Sequence, residues 1–224
     1  MRVSLVIVAH SRQLAEGVAE LAGQMAPDVT LLAAGGLPGG GIGTDFDLTV
    51  AAVQRADVGA GVVLLYDLGS AQMTAELAVE SLPDPGAAVV VDAPLVEGAV
   101  AAAVAAQGGA DRAAVAEAAA SAGAPAELGQ PAPEMGAAQR TRLTLQNEIG
   151  LHARPAALLV RSIAGLDADV RIRLGTEEAD GHSVLALMSL SARKGDLIEI
   201  AATGPQADEA IHRIEALAAR NFDE

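Results

Sequence analysis

The stretch Val3-Ser4-Leu5-Val6-Ile7-Val8-Ala9-His10-Ser11 decides the fold of the first half of this chain. From Val3 to Val8 it is a nearly continuous apolar run, the pattern of a strand in a sheet covered on both faces. His10 and Ser11 end the run, after which Leu14, Val18, Leu21 and Met25 recur at helical spacing on one face. The alternation then repeats. Val29 to Ala33 reads as a second strand and Gly35 to Gly43 as a glycine-rich turn. Thr44 reads as the start of a helix, with Asp47 three residues on in a near-capping box. Val62 to Tyr66 is a third strand, Asp67-Leu68-Gly69-Ser70 its turn, and Ser70 a candidate N-cap. Ala88 to Val91 is a fourth strand, and alanine-rich helices fill about Leu95 to Ala122. Strands and helices alternating at this spacing predict an α/β doubly wound parallel sheet over residues 1–122.

The pattern changes further along. Residues 123–139 hold Pro125, Pro131 and Pro133 with Gly123, Gly129 and Gly136, and only Leu128 and Met135 as large apolar anchors. Such a segment reads as a semi-extended Ala/Pro-rich linker. In residues 140–224 apolar and polar positions alternate, with Val170, Ile172 and Leu174 on one side and Arg171 and Arg173 on the other. Helices are expected at about 153–165, 184–191 and 206–221 between four short strands. The order βαββαβα predicts a C-terminal α+β domain, an antiparallel sheet with its helices on one face.

Composition narrows the function classes. The 224 residues carry a net charge of −15, with no Trp, one Tyr and two Phe. That argues against nucleic acid and anionic membrane partners and against base stacking on aromatic side chains. The absence of cysteine removes disulfides, thiolate metal sites and thiol nucleophiles. No basic and apolar leader opens the chain and no uncharged run reads as a membrane span, so the cytoplasm is the expected compartment. The acidic excess lies in the first half, where residues 1–139 hold 16 acids and 4 arginines, against 13 acids and 10 basic residues in the rest. That asymmetry supports two units.

In an open parallel sheet, chemistry gathers beyond the carboxyl ends of the strands. The first strand delivers His10 there, the second the glycine loop, and the third Asp67 with Gly69 and Ser70. A neutral imidazole is a nucleophile near pH 7. Asp67 is placed to bond one ring nitrogen and leave the other free to attack phosphorus. Backbone N–H groups of Gly39, Gly40, Gly41, Gly43 and Thr44, or of Gly69 and Ser70, are candidates to cradle the transferred oxygens. No Walker lysine pattern is present, which disfavours a P-loop nucleotide site.

A second histidine stands in Gly150-Leu151-His152-Ala153-Arg154-Pro155-Ala156. Pro155 suits the first turn of a helix that continues on apolar spacing through Leu159, Val160, Ile163 and Leu166. Unpaired N–H groups and the positive end of the helix then face His152, and Arg154 adds a guanidinium. The combination suits a doubly charged anion, best a phosphoryl group.

This stretch resembles the phosphorylation site of HPr, the histidine phosphocarrier of the bacterial phosphotransferase system. The resemblance extends from about Arg140 to the C-terminus, through Asn147, Ser183 to Leu190, Lys194-Gly195-Asp196 and Gly204. It implies that His152 is phosphorylated at Nδ1 and that Arg154 holds the phosphate. Ser183 matches the serine that a regulatory kinase modifies in HPr of some bacteria, although its position alone reads as a helix cap. His182 beside it departs from the HPr pattern. His212, with Asp208 and Glu215, reads as solvated surface, and no metal site is expected.

The first half resembles the enzyme IIA domain of the mannose family. Within that family it is similar to the phosphotransfer subunits of bacterial dihydroxyacetone kinases, in which this domain is fused to an HPr-like one. The matching residues are Val6 to Ser11 with Leu14 to Val18, Gly43-Thr44, and Leu64 to Ala71 with Glu76. The resemblance implies a phosphotransferase subunit with His10 as phosphoryl acceptor and Asp67 as its orienting partner. It further implies a homodimer formed through the N-terminal domain, with phosphohistidine intermediates and no bound cofactor. Phosphate from phosphoenolpyruvate would pass from enzyme I and HPr to His10. From there it would reach ADP on the dihydroxyacetone kinase nucleotide-binding subunit. The alternatives are an enzyme IIA component of a mannose-family sugar transporter and a regulatory module read by its phosphorylation state.

Overall fold

The computed structural model describes residues 1–123 and 139–223. The chain divides into two compact units, Met1–Ala124 and Pro125–Glu224. The linker expected over 123–139 lies, apart from its two end residues, outside the described residues.

In the first unit, β1 (Ser4–Ala9), β2 (Leu31–Gly35), β3 (Val62–Tyr66) and β4 (Ala88–Val91) form one parallel sheet in the order β2-β1-β3-β4. All residues of β1 and β3 are buried, as the continuous apolar run requires of strands covered on both faces. Helices α1 (Arg12–Met25), α4 (Leu95–Gln107) and α5 (Arg112–Ser121) cover one face. Helices α2 (Phe46–Ala56) and α3 (Gly69–Glu80) cover the other. Val6, Val8, Leu64 and Tyr66 pack with Ala52, Val53, Ala71 and Ala75 on the α2/α3 side. The strand order reverses between β1 and β3, so their carboxyl ends flank the crevice where such sheets bind ligands.

Three local expectations are corrected. The second strand begins at Leu31, not Val29, because the Val29 N–H closes a turn onto the Ala26 carbonyl at 3.1 Å. Thr44 does not start α2. Asp45 is its N-cap and accepts from the Leu48 N–H at 2.8 Å. Ser70 does not cap α3, which begins at Gly69 after Leu68 with no side-chain cap.

The second unit follows the expected order: β5 (Gln139–Thr144), α6 (Ala153–Ile163), β6 (Asp169–Leu174), β7 (Glu177–Asp180), α7 (Val184–Ser189), β8 (Leu197–Thr203) and α8 (Ala207–Ala219). Its sheet is wholly antiparallel in the order β5-β8-β6-β7. Val170, Ile172, Ile198 and Ile200 point into a core with Leu159, Ile163, Leu187 and Ile214, all fully buried. On the outer face Arg142, Glu199, Arg173 and Glu178 stand in one cross-strand row, with ion pairs of 2.6 Å at Arg142–Glu199 and 2.8 Å at Arg173–Glu178. Alternating signs directly opposite one another favour this register over a slipped one. One detail of α8 differs from the expected solvated face: Glu215 is half-buried and accepts a hydrogen bond from the Thr141 hydroxyl at 2.7 Å.

One close approach sets the position of the residues after β1. A Cβ at Gly35 would stand 2.7 Å from the Ser11 carbonyl oxygen and 2.8 Å from the Ala15 Cβ. Glycine therefore lets the start of α1 lie directly on the end of β2. Gly35→Ala should destabilise this unit by about 1–3 kcal/mol, the usual cost of overpacking. Chemical denaturation measures it, and an unchanged midpoint would show that α1 moves aside freely.

Candidate functional site

His10 follows β1 and Asp67 follows β3, and the parallel pairing of these strands brings the two residues together. The Asp67 carboxylate holds His10 twice. One oxygen accepts the His10 backbone N–H at 2.9 Å, and the other stands 2.9 Å from Nδ1. The latter oxygen also accepts the Leu68 N–H at 2.8 Å, which fixes the carboxylate itself. An ionised carboxylate only accepts, so the proton of this contact lies on Nδ1 and Nε2 of the neutral ring carries the lone pair. Nε2 faces the Ser70 hydroxyl at 2.7 Å. The side chains of His10 and Asp67 are 21% and 11% exposed, so the ring is gripped from below and open above.

The glycine loop closes the second side. The Gly43 N–H donates to the His10 carbonyl at 2.9 Å, and the Gly40 N–H donates to the Leu37 carbonyl at 2.9 Å. Those two donors are occupied within the fold. Gly39 and Gly41 are exposed at the tip of the loop, with open space where a Cβ would stand. At the start of α3, the Gly69 and Ser70 N–H groups have no acceptor among the described residues, and both residues are exposed. They lie in the first turn, where the positive end of the helix adds to their pull on an anion.

Sequence reasoning overlooked two contributors. The Arg12 guanidinium lies against the glycine loop, 3.5 Å from the Leu37 carbonyl. Its place two residues after His10, in a first helical turn where a cation is otherwise disfavoured, was the available signal. Thr74 bonds both Thr44, at 2.9 Å between hydroxyl oxygens, and the Ser70 carbonyl, at 3.1 Å. Nothing in local spacing announces that contact.

In the second unit His152 is the N-cap of α6, with extended backbone and no side-chain cap bond. Its N–H donates to the Gly150 carbonyl at 3.0 Å, which also accepts from the Asn147 side-chain amide at 2.8 Å. Gly150 has φ +80°, and a Cβ there would collide with the Ala192 carbonyl, so glycine is required on both counts. Arg154 is exposed in the first turn of α6. Ser183 caps α7 and accepts the Ala186 N–H at 3.2 Å. His182 contacts the Ala168 carbonyl through Nε2 at 3.0 Å, and His212 is exposed on α8.

A histidine held at the crevice of a doubly wound sheet and a histidine at a helix mouth in an antiparallel α+β unit describe a phosphotransferase-system component. The comparisons agree. A family described as "PTS system fructose IIA component" matches residues 4–116, and one described as "PTS HPr component phosphorylation site" matches residues 139–220. The chain belongs to the PTS fructose IIA component family, with an HPr component in its second half. It is 37% identical over 242 residues to the PEP-dependent dihydroxyacetone kinase phosphoryl donor subunit DhaM of Klebsiella michiganensis, a match covering 99% of this chain and 51% of that protein. The corresponding Escherichia coli K12 protein is 35% identical, again over 99% of this chain and 51% of its own length. The chain thus spans about half the length of the curated relatives it matches in full. Phosphocarrier protein NPr of E. coli K12 is 46% identical over 82 residues, 36% of this chain and 90% of NPr. Among the described residues no helix is long and apolar enough to cross a membrane.

Tyr66, the residue before Asp67, offers an optical probe of this region. Burial, then the hydrogen bond that its hydroxyl donates to Asp92 and the nearby charges of Asp92 and Glu76, push its pKa up to about 12. Because Tyr66 is the only tyrosine and there is no tryptophan, phenolate absorbance reports on this position alone. The folded chain should ionise near pH 12 and the denatured chain near about 10. The folded state then binds more protons across that window, so this contribution to stability is complete below the denatured value and lost as pH rises through the folded one. A folded-state titration near about 10 would contradict the assigned environment.

Proposed function

We propose that this chain is a histidine phosphocarrier that passes phosphate, originating on phosphoenolpyruvate, from enzyme I and HPr-type donors through His10 to ADP. The ADP is bound on the nucleotide-binding subunit of a dihydroxyacetone kinase, and dihydroxyacetone is the final acceptor. The observation that carries the reading is the double grip of Asp67 on His10, which leaves Nε2 as the lone-pair nitrogen. The similarity to phosphoryl donor subunits over nearly the whole chain supports the choice of acceptor.

In the first step the Nε2 lone pair attacks phosphorus in line, and the P–N bond to the donor histidine breaks as its electron pair returns to the donor ring. Ser70 must release Nε2 for this, and its hydroxyl is then within reach of a phosphoryl oxygen. The Gly69 and Ser70 N–H groups, with those of Gly39 and Gly41, stabilise the charge on the equatorial oxygens. Asp67 stabilises the Nδ1–H ring while Nε2 bears the phosphoryl group. In the second step a terminal β-phosphate oxygen of ADP attacks, the P–N bond breaks, and ATP and free His10 result. His152, with Arg154 beside it, is the second phosphohistidine, formed at Nδ1. In this reading residues 1–122 are the IIA-like domain and form a cytoplasmic homodimer. Residues 140–224 are the HPr-like carrier, and 123–139 the tether between them. Phosphohistidine is the only cofactor-like species required.

The family description as a sugar IIA component favours one other reading, in which His10 hands phosphate to a transporter's IIB partner. A single experiment separates the two. The chain is incubated with enzyme I, HPr and labelled phosphoenolpyruvate, and the dihydroxyacetone kinase subunits are then added. Label should reach dihydroxyacetone with the wild type and stop with His10→Ala, while His152→Ala shows whether that site lies on the route. Asp67→Asn should slow loading of His10 by about a hundredfold, the scale of losing an acid–base partner. Label that loads on His10 and never leaves for the kinase would overturn the dihydroxyacetone assignment.

A further inference from the structure

The glycine loop and the first turn of α3 are joined by a hydrogen-bonded ring that passes through His10. The Gly43 N–H donates to the His10 carbonyl at 2.9 Å, and Thr44 follows Gly43 in the chain. The Thr74 hydroxyl stands 3.1 Å from the Ser70 carbonyl, which has no proton to give. Thr74 is therefore the donor there, and its single hydrogen is committed. In the 2.9 Å contact between the two threonine oxygens, Thr44 must then donate and Thr74 accept. Ser70 completes the ring through the 2.7 Å contact between its hydroxyl and Nε2 of His10.

The ring has one donor direction through the threonines, and the Thr44–Thr74 contact is its link between the glycine loop and α3. Thr44 is free for it because Asp45, not Thr44, caps α2. Thr44 and Thr74 are each partly buried. Removing the Thr74 hydroxyl removes both its contact with Thr44 and its side-chain bond to the Ser70 carbonyl. We propose that Thr74, acting with Thr44, is a positioning residue for phosphoryl transfer: it joins the glycine loop to the first turn of α3, so that the Ser70 hydroxyl and N–H stay beside Nε2 of His10, within reach of a phosphoryl oxygen once the hydroxyl has released the ring. This inference rests on His10 being the phosphoryl acceptor.

The test compares Thr74→Val, Thr74→Ser, Thr44→Val and the double valine variant with the wild type. The first measurement is the rate at which His10 is loaded from phosphorylated HPr. The second is the Nε2 resonance of His10 by 15N NMR in the unphosphorylated chain, assigned by its loss in His10→Ala. Thr74→Val should load about tenfold more slowly, the scale of one lost hydrogen bond, and shift the His10 resonance. Thr74→Ser should restore both, Thr44→Val should reproduce most of the defect, and the double variant should be no worse than Thr74→Val. Wild-type loading and an unmoved resonance in Thr74→Val would overturn the inference, as would a serine variant that fails to rescue. If the wild type does not load on His10 at all, the phosphocarrier reading fails separately. The resonance then still decides whether Thr74 holds the ring. Thermal unfolding of each variant distinguishes a loosened site from a lost fold.

Discussion

The carboxylate of Asp67 is the constraint on which the candidate site depends. It accepts both the backbone N–H and the ring Nδ1 of His10, so the main-chain direction and the imidazole orientation at the end of β1 are set by one group. A histidine with only a ring contact could turn about its side-chain bonds. Here the same carboxylate is also tied to the His10 main chain and to the Leu68 N–H, so the group that holds the ring is itself fixed in place. Such pre-organisation means that little reorganisation is needed when charge develops on the transferring phosphoryl group.

The rest of the first unit makes this contact possible. Only a parallel pairing of β1 and β3 puts His10 and Asp67 at the same sheet edge, and only strands covered on both faces can be as uniformly apolar as these. Gly35 lets α1 start directly over β2, and the Gly43 N–H ties the glycine loop to the His10 carbonyl. The second unit solves the same problem with different parts. There Asn147 and the His152 N–H share the Gly150 carbonyl, and Gly150 adopts a backbone conformation and a contact that exclude a side chain. In both cases a histidine is placed by backbone bonds first.

Much of this was legible because it follows from periodicity. The apolar runs of β1 and β3, and the alternation in β6, specify two kinds of sheet, and the strand ends then specify where His10 and Asp67 go. The details that escaped depend on which residue wins a cap. Thr44 and Asp45 are both capable N-caps, as is Ser70 in its own turn, and composition does not rank them. The structure gives the cap of α2 to Asp45 and none to the side chain at Leu68, which frees Thr44 for Thr74 and Ser70 for His10. Contacts between residues 30 or 60 positions apart, such as these, arise from strand order and leave no trace in local spacing. The Glu215 contact escaped for the same reason, since its partner Thr141 lies on a strand 74 residues earlier.

The most direct test of the account is the tautomer of His10, read by 15N NMR on the unphosphorylated chain above the ring's titration range. The account predicts a proton on Nδ1 and an unprotonated Nε2, and after loading from phosphorylated HPr a phosphorus coupling on Nε2. A proton found on Nε2, or phosphorus bonded to Nδ1 of His10, would contradict the claim that Asp67 selects the attacking nitrogen.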